Sequence, residues 1–238
     1  MKTKLKFGEI SIEVTQKNIK NIHLSVNPDG NVRVSAPIES KIDSIRSFAL
    51  SRLSWIKQQQ KKYAGQERSS PPEFVNRESH YIWGTRYMLH ISESDIRLPF
   101  IELNGNKLIV NVKLETPEDK IQVFVEQWYR DNLRLEVLAI IEKWKPILDV
   151  NVDTVFIQKM KTKWGGCNTE SSSLRLNAEL IKKPRELVEY IVVHEMVHLI
   201  ERSHNDTFFS LMDKYIPMWR QLKQQLNQST LPDLDQNI

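Results

Sequence analysis

The stretch that most limits what this chain can become is Tyr190-Ile191-Val192-Val193-His194-Glu195-Met196-Val197-His198-Leu199-Ile200. Residues Arg185 to Ile200 contain neither glycine nor proline, and Pro184 stands where a helix accepts proline in its first turn. The spacing predicts an apolar helix. On it His194 and His198 are four residues apart, so their rings lie on one face, one turn apart. Two imidazoles so placed can grip one metal ion. Glu195 adjoins the first, where its carboxylate can reach a metal-bound water without being a ligand. This is the H-E-x-x-H spacing of zinc-dependent hydrolases.

His204, six residues after His198, can close a three-histidine site. Helical periodicity alone cannot bring it to the face of the other two, so the chain must turn after about Glu201. Metzincin proteases place glycine at that point, and this chain has glutamate. Glu201 itself, or a more distant acid, is the alternative third ligand. Ser203 and Asn205 supply turn chemistry around His204 and favour the histidine. Zinc suits imidazole donors, and three protein ligands leave a fourth position for water. Zinc brings the pKa of such a water to about 7. Glu195 would take its proton and pass it to a leaving amine. A closed cysteine-rich site is excluded, because Cys167 is the one cysteine. That cysteine reads as a small residue in a tight loop rather than as a nucleophile.

The 238 residues carry a net charge of +4, with 40% apolar content, enough for one large core or two small ones. The mild basicity permits nucleic-acid contact without demanding it. No disulfide can form within the chain, and the first residues lack a signal-peptide core. No apolar run is long enough to span a membrane. The expectation is a cytoplasmic protein.

Residues 4–37 alternate as strands, with Asn27-Pro28-Asp29-Gly30 as a hairpin turn. His23 reads as a sheet-face residue. Residues 39–63 show one helical period, with Arg46, Arg52, Lys57, Lys61 and Lys62 on a basic face near Trp55. Gly65 to Glu73 reads as a linker. Strands resume near Tyr81, and Asn104-Gly105-Asn106 predicts another hairpin. His80 and His90 read as structural. Thr116 and Pro117 open a long amphipathic helix, with Trp128 and Trp144 in the core. After a strand over Val152–Lys159, the pair Gly165-Gly166 implies a backbone that bends or is closely approached. A strand over 173–177 leads to the histidine helix. Asn205 or Asp206 can cap the next helix, and Pro217 opens or kinks a last one. No internal repeat is visible. The expected organisation is a β-rich region over 1–115 with one helix, a catalytic core over 116–228, and a flexible tail over 229–238.

Trp164-Gly165-Gly166-Cys167, Leu176-Asn177 with Leu180-Ile181, Pro184, Tyr190 and the histidines together resemble the YgjP-like zinc metallopeptidases, relatives of the SprT and WLM groups. That family's usual loop is Trp-Gly-Ser-Cys, from which Gly166 departs. Phe208 matches a phenylalanine that the WLM relatives place four residues after the last histidine. The resemblance implies a zincin-like α+β fold, Zn2+ on His194, His198 and His204, and Glu195 as general base.

Three functions follow as expectations. One is a peptidase acting on peptides or proteins. Another is a DNA-associated protease, since members of the related groups act on proteins attached to DNA, with the β-rich half and the 46–62 basic face docking on nucleic acid. The third is a metal-stabilised binding module without turnover. Tyr190 and Tyr215 are candidate oxyanion stabilisers by residue type. A strand edge at Trp164–Cys167 can hold an extended peptide.

Overall fold

The computed structural model describes residues 2–27, 30–64, 74–160 and 163–227. The expected linker, Gly65 to Glu73, the hairpin tip at Pro28 and Asp29, and the expected tail over 229–238 lie outside them. The fold is α+β with a β-rich N-terminal half, and it divides into two compact units, Met1–Arg68 and Ser69–Ile238.

In the first unit, β1 (Lys2–Phe7), β2 (Ile10–Lys17), β3 (His23–Val26) and β4 (Val32–Pro37) form a four-stranded sheet in the order β1-β2-β4-β3. The outer pairs are antiparallel and β2 runs parallel to β4. Alternation puts Ile10, Ile12, Val14, Val32, Val34 and Ala36 on one buried face. Ile45, Ala49 and Ile56 close that core from α1 (Ile42–Ser51) and α2 (Leu53–Ala64). The single helix expected over 39–63 is broken at Arg52, whose N–H closes back on the Ala49 and Leu50 carbonyls. A straight helix of that span would run about 37 Å. An eight-residue strand covers only about 27 Å, so the break lets both segments reach the sheet. It also divides the expected basic face between two helices. Trp55 packs against the core.

The second unit begins with β5 (Ser79–Ile82), β6 (Thr85–Ser94), β7 (Phe100–Asn104) and β8 (Lys107–Lys113). Their order, β5-β6-β8-β7, and their pairing senses repeat those of the first sheet. The long α3 (Glu118–Leu148) lays Ile121, Val125, Tyr129, Leu133, Val137, Ile141 and Trp144 along one stripe, mostly four residues apart. Val123, Leu135 and Leu138, which also fitted a helical pattern, face solvent. Thr116 does not cap this helix: its hydroxyl donates to the Lys113 carbonyl at 2.6 Å, and Pro117 takes the cap position. The helix continues through Pro146, because one missing N–H is tolerable in a last turn. It ends at Asp149, with φ +52°.

A three-stranded sheet of order β10-β11-β9 follows, from β9 (Thr154–Gln158), β10 (Gly165–Asn168) and β11 (Ser173–Asn177). Residues 165–168, expected as a loop, are therefore a strand, paired antiparallel with β11. A 3-10 turn, Ala178–Lys182, leads into α4 (Arg185–Val197). Helices α5 (Asp206–Tyr215) and α6 (Trp219–Asn227) complete the unit. Ten of the thirteen residues of α4 are buried, which makes it the centre of this core. Trp144 Nε1 and Lys143 Nζ both donate to Glu189 Oε1, each at 2.7 Å, tying α3 to α4.

Candidate metal centre

The helix α4 ends where its second histidine begins: Val197 is its last residue and His198 its C-cap. The chain turns at once, with Ile200 and Glu201 both donating to the Val197 carbonyl. Ser203 N donates to the Glu201 carboxylate at 3.0 Å, and the Asn205 side chain bonds it too. These bonds hold the Glu201 carboxyl below its usual range. Asn205 then caps α5, accepting from Phe208 N at 3.0 Å. The turn that spends the Glu201 carboxylate on backbone thus delivers His204 to the other two histidines.

One ring nitrogen from each of His194, His198 and His204 lies within 4.8 Å of the others. His194 Nε2 and His204 Nε2 are 3.0 Å apart. Among the described residues, this is the cluster of histidine, cysteine and acidic groups close enough to share an ion. Phe208 is 1% exposed and its ring centroid lies 4.5 to 5.0 Å from all three imidazoles. It forms an apolar wall that fixes their planes. His198 Nδ1 is 3.1 Å from the Glu201 carbonyl. Donating there leaves Nε2 as the ring's free lone pair. Burial holds His194 well below the usual histidine range, and its two histidine neighbours add to the effect. Burial also lowers His198. Neutral imidazole is the form that coordinates a cation.

Glu195 is 4% exposed, and burial raises its carboxyl to about 8 against the opposing charge of Lys163. The reason it fits at all is Gly165. A Cβ there would stand 2.5 Å from Glu195 Oε1 and 2.8 Å from its Cγ. Strand β10 therefore runs its backbone directly against the carboxylate. The neighbouring Gly166 faces open space, with nothing within 4 Å of a built Cβ. Cys167, half-buried on the same strand, has its thiol pushed up to about 11 by burial and by Glu195, which suppresses nucleophilicity.

The described chain matches one family over residues 20–229: YgjP-like, metallopeptidase domain. It belongs to that family. As a YgjP-like domain it is a metal-dependent peptidase, and its substrates are proteins or peptides. No curated protein matches it. Among solved structures, the metallopeptidase zymogen of Pyrococcus abyssi abylysin is similar at 19% identity and a TM-score of 0.38, covering 41% of this chain and 99% of that one. The zymogen of Methanocaldococcus jannaschii jannalysin is similar at 23% identity and a TM-score of 0.35, covering 39% and 88%. No helix among the described residues is long and apolar enough to cross a membrane.

Two residues expected as oxyanion stabilisers are not among the clustered groups. Tyr215 sets its ring edge-on against Trp144, with its hydroxyl accepting from Lys214 Nζ at 3.2 Å. Tyr190 is 1% exposed and packs its ring against His194 from one turn back, inside the core. His80 is buried and bonded to the Tyr129 hydroxyl and the Glu78 carboxylate, a structural role. Asn177 matters more than sequence periodicity indicates. Its fully buried amide donates to the carbonyls of Met160 and Lys163, both at 2.8 Å, and accepts from Glu179 N. Those bonds hold Met160 and Lys163, and Asn177 N donates to the Trp164 carbonyl at 2.9 Å, so Asn177 positions Gly165 over Glu195. Only its place beside Leu176 in the family-like pattern pointed to it.

Proposed function

We propose that the YgjP-like domain is a zinc peptidase in which His194, His198 and His204 hold the ion and Glu195 is the general base. The convergence of three imidazoles beside a buried carboxylate carries this reading. The donor set fits zinc. Zn–N bonds of about 2.0–2.1 Å put tetrahedral ligand nitrogens roughly 3.3 Å apart, and His194 and His204 present theirs at 3.0 Å. When bound, zinc supplies a Lewis acid that acidifies water and polarises an amide carbonyl.

The chain's own contribution is to move a proton and hold a peptide. Glu195 takes a proton from water at a carboxylate oxygen as the water oxygen adds to the carbonyl carbon. It returns the proton to the amide nitrogen as the C–N bond breaks. Burial raises this carboxyl above the usual carboxylate range, which makes it a stronger base than an exposed carboxylate and a ready donor on the return step. The unpaired side of β10, an edge strand beside Glu195, suits an extended peptide bound through main-chain hydrogen bonds. The open space at Gly166 leaves that approach clear. Residues 116–228 would form the catalytic core, resting on β5–β8, and the chain would work in the cytoplasm.

Glu195→Gln tests the proposal. It should retain one zinc per chain and the wild-type melting temperature, while hydrolysis of a peptide library falls by at least about a thousandfold, roughly 4 kcal/mol in the barrier. Equal turnover by the two proteins removes the general base. Absence of turnover in wild type loaded with zinc favours a metal-stabilised binding module instead.

A further inference from the structure

The basicity of this chain is not spread over it. Residues 1–68, the first compact unit, hold 13 Lys and Arg against 6 Asp and Glu, a net of +7. The remaining 170 residues hold 21 against 24, a net of −3. The helices α1 and α2 cover one face of the first sheet, so the other face is free of helices within its unit.

The register lays out what that open face presents. One row crosses the sheet as Lys4, Glu13, Arg33 and Ser25. Another pairs Lys6 with Ser11, and a third carries Thr15, Ser35 and His23. Lys17 follows on β2. Lys4, Lys6, Lys17, Arg33, His23, Ser11 and Ser25 are exposed. Glu13, the one acid on these rows, is matched by Arg33 at 3.3 Å. Lys4, Lys6 and Lys17 make no ion pair among the described residues.

We propose that this open sheet face binds nucleic acid through the phosphate backbone. Lysine, arginine, serine and threonine side chains are the usual phosphate contacts, and cations without partners release counterions on binding. The face lacks what the other polyanionic partners need. Among the described residues it has no tryptophan, tyrosine, phenylalanine, methionine or leucine side chain to anchor a protein interface. It has no apolar side chain long enough to enter a lipid headgroup layer. His23 is the one ring on the face and has no aromatic neighbour there to build a stacking platform, so binding through phosphates is independent of sequence and needs no single strand. The helical basic residues Arg46, Arg52, Lys57 and Lys61 are divided between two helices by the break at Arg52. This inference stands apart from the peptidase chemistry.

The test is a titration of the full chain with a labelled random-sequence DNA duplex at low salt, repeated as salt is raised. Wild type should bind with a steep salt dependence. Lys4→Glu/Lys6→Glu/Lys17→Glu should bind more than tenfold more weakly, with the log–log salt slope shallower by about one per lost contact. Lys4→Gln/Lys6→Gln/Lys17→Gln, the milder variant, should fall between. Lys107→Glu/Lys113→Glu/Lys120→Glu changes net charge equally on the second unit and should bind as wild type does. Melting temperature and peptide turnover should match wild type in every variant. No binding by wild type at low salt overturns the proposal. So does equal loss in the second-unit variant, or binding of polyglutamate or anionic vesicles as tight as that of DNA. Each of these results leaves the proposed peptidase chemistry untouched.

Discussion

In both four-stranded sheets the first two strands form a hairpin with a glycine at positive φ: Gly8 at +61° and Gly84 at +79°. The two turns meet different surroundings. A Cβ at Gly8 would find nothing within 4 Å, whereas one at Gly84 would stand 2.9 Å from Pro184 Cγ. Trp83, at φ +51°, donates its N–H to the Ile181 carbonyl at 2.8 Å, and the Arg185 guanidinium lies 4.6 Å over its ring. One hairpin therefore ends in solvent, and its twin is wedged against the start of the histidine helix. Shared topology does not decide what a sheet is for. The first sheet keeps an open face of cations and hydroxyls, and the second lends its turn and its core to the histidine cluster.

Replacing each glycine in turn is the sharpest way to break this comparison. Gly84→Val adds a steric clash to left-handed strain and should destabilise the second unit by about 2–4 kcal/mol, with a loss of peptide turnover. Gly8→Val should cost only the backbone strain, about 1–2 kcal/mol, with turnover unchanged. Calorimetry and a peptide assay on both would decide it; matching losses would show that the wedge is irrelevant.

A second pair sharpens the claim that β10 is shaped around Glu195. Gly165→Ala should keep its metal but lose turnover by about a hundredfold, since displacement of a reacting group by about 1 Å has that effect. Gly166→Ala, pointing into open space, should match wild type. Metal analysis beside kcat/KM separates the outcomes, and an active Gly165→Ala enzyme would refute the contact.

The smallest effect concerns the tie between α3 and α4, which has no counterpart in the first unit. Burial of Glu189 opposes its ionisation, yet the bonds from Lys143 and Trp144 outweigh it and lower the carboxyl. A lowered carboxyl stabilises the fold fully above its ordinary value of 4.5, and the contribution fades as pH falls through the lowered value. Glu189→Gln should therefore cost roughly 1 kcal/mol at neutral pH, partly screened by solvent. Denaturant melts should converge on wild type in acid; a gap that persists below pH 3 would contradict the assignment.

Much of the histidine cluster was legible because it depends on local spacing. Four residues on a helix bring His194 and His198 together, and turn-forming residues around His204 signal a change of direction. The reach of Gly165 was half legible: adjacent glycines announce a close approach, but nothing local says that the approaching group is thirty residues away. The break at Arg52 carries no glycine or proline and follows from the dimensions of the sheet beneath. The recurrence of one strand order in two sheets left no repeat in the sequence, because topology constrains alternation and not identity. Val123, Leu135 and Leu138 misled for the opposite reason: apolar residues occupy more of the surface of α3 than its core can accept.

The turn at Glu201–Asn205 joins the placement of His204 to helix initiation, for Asn205 follows His204 directly and starts α5. Chelation should be felt well away from the ion: once residue 204 is released, amide hydrogens in the first turn of α5 should exchange faster while those of α3 keep their protection. Occupancy could then be followed by deuterium uptake alone, without a substrate in hand.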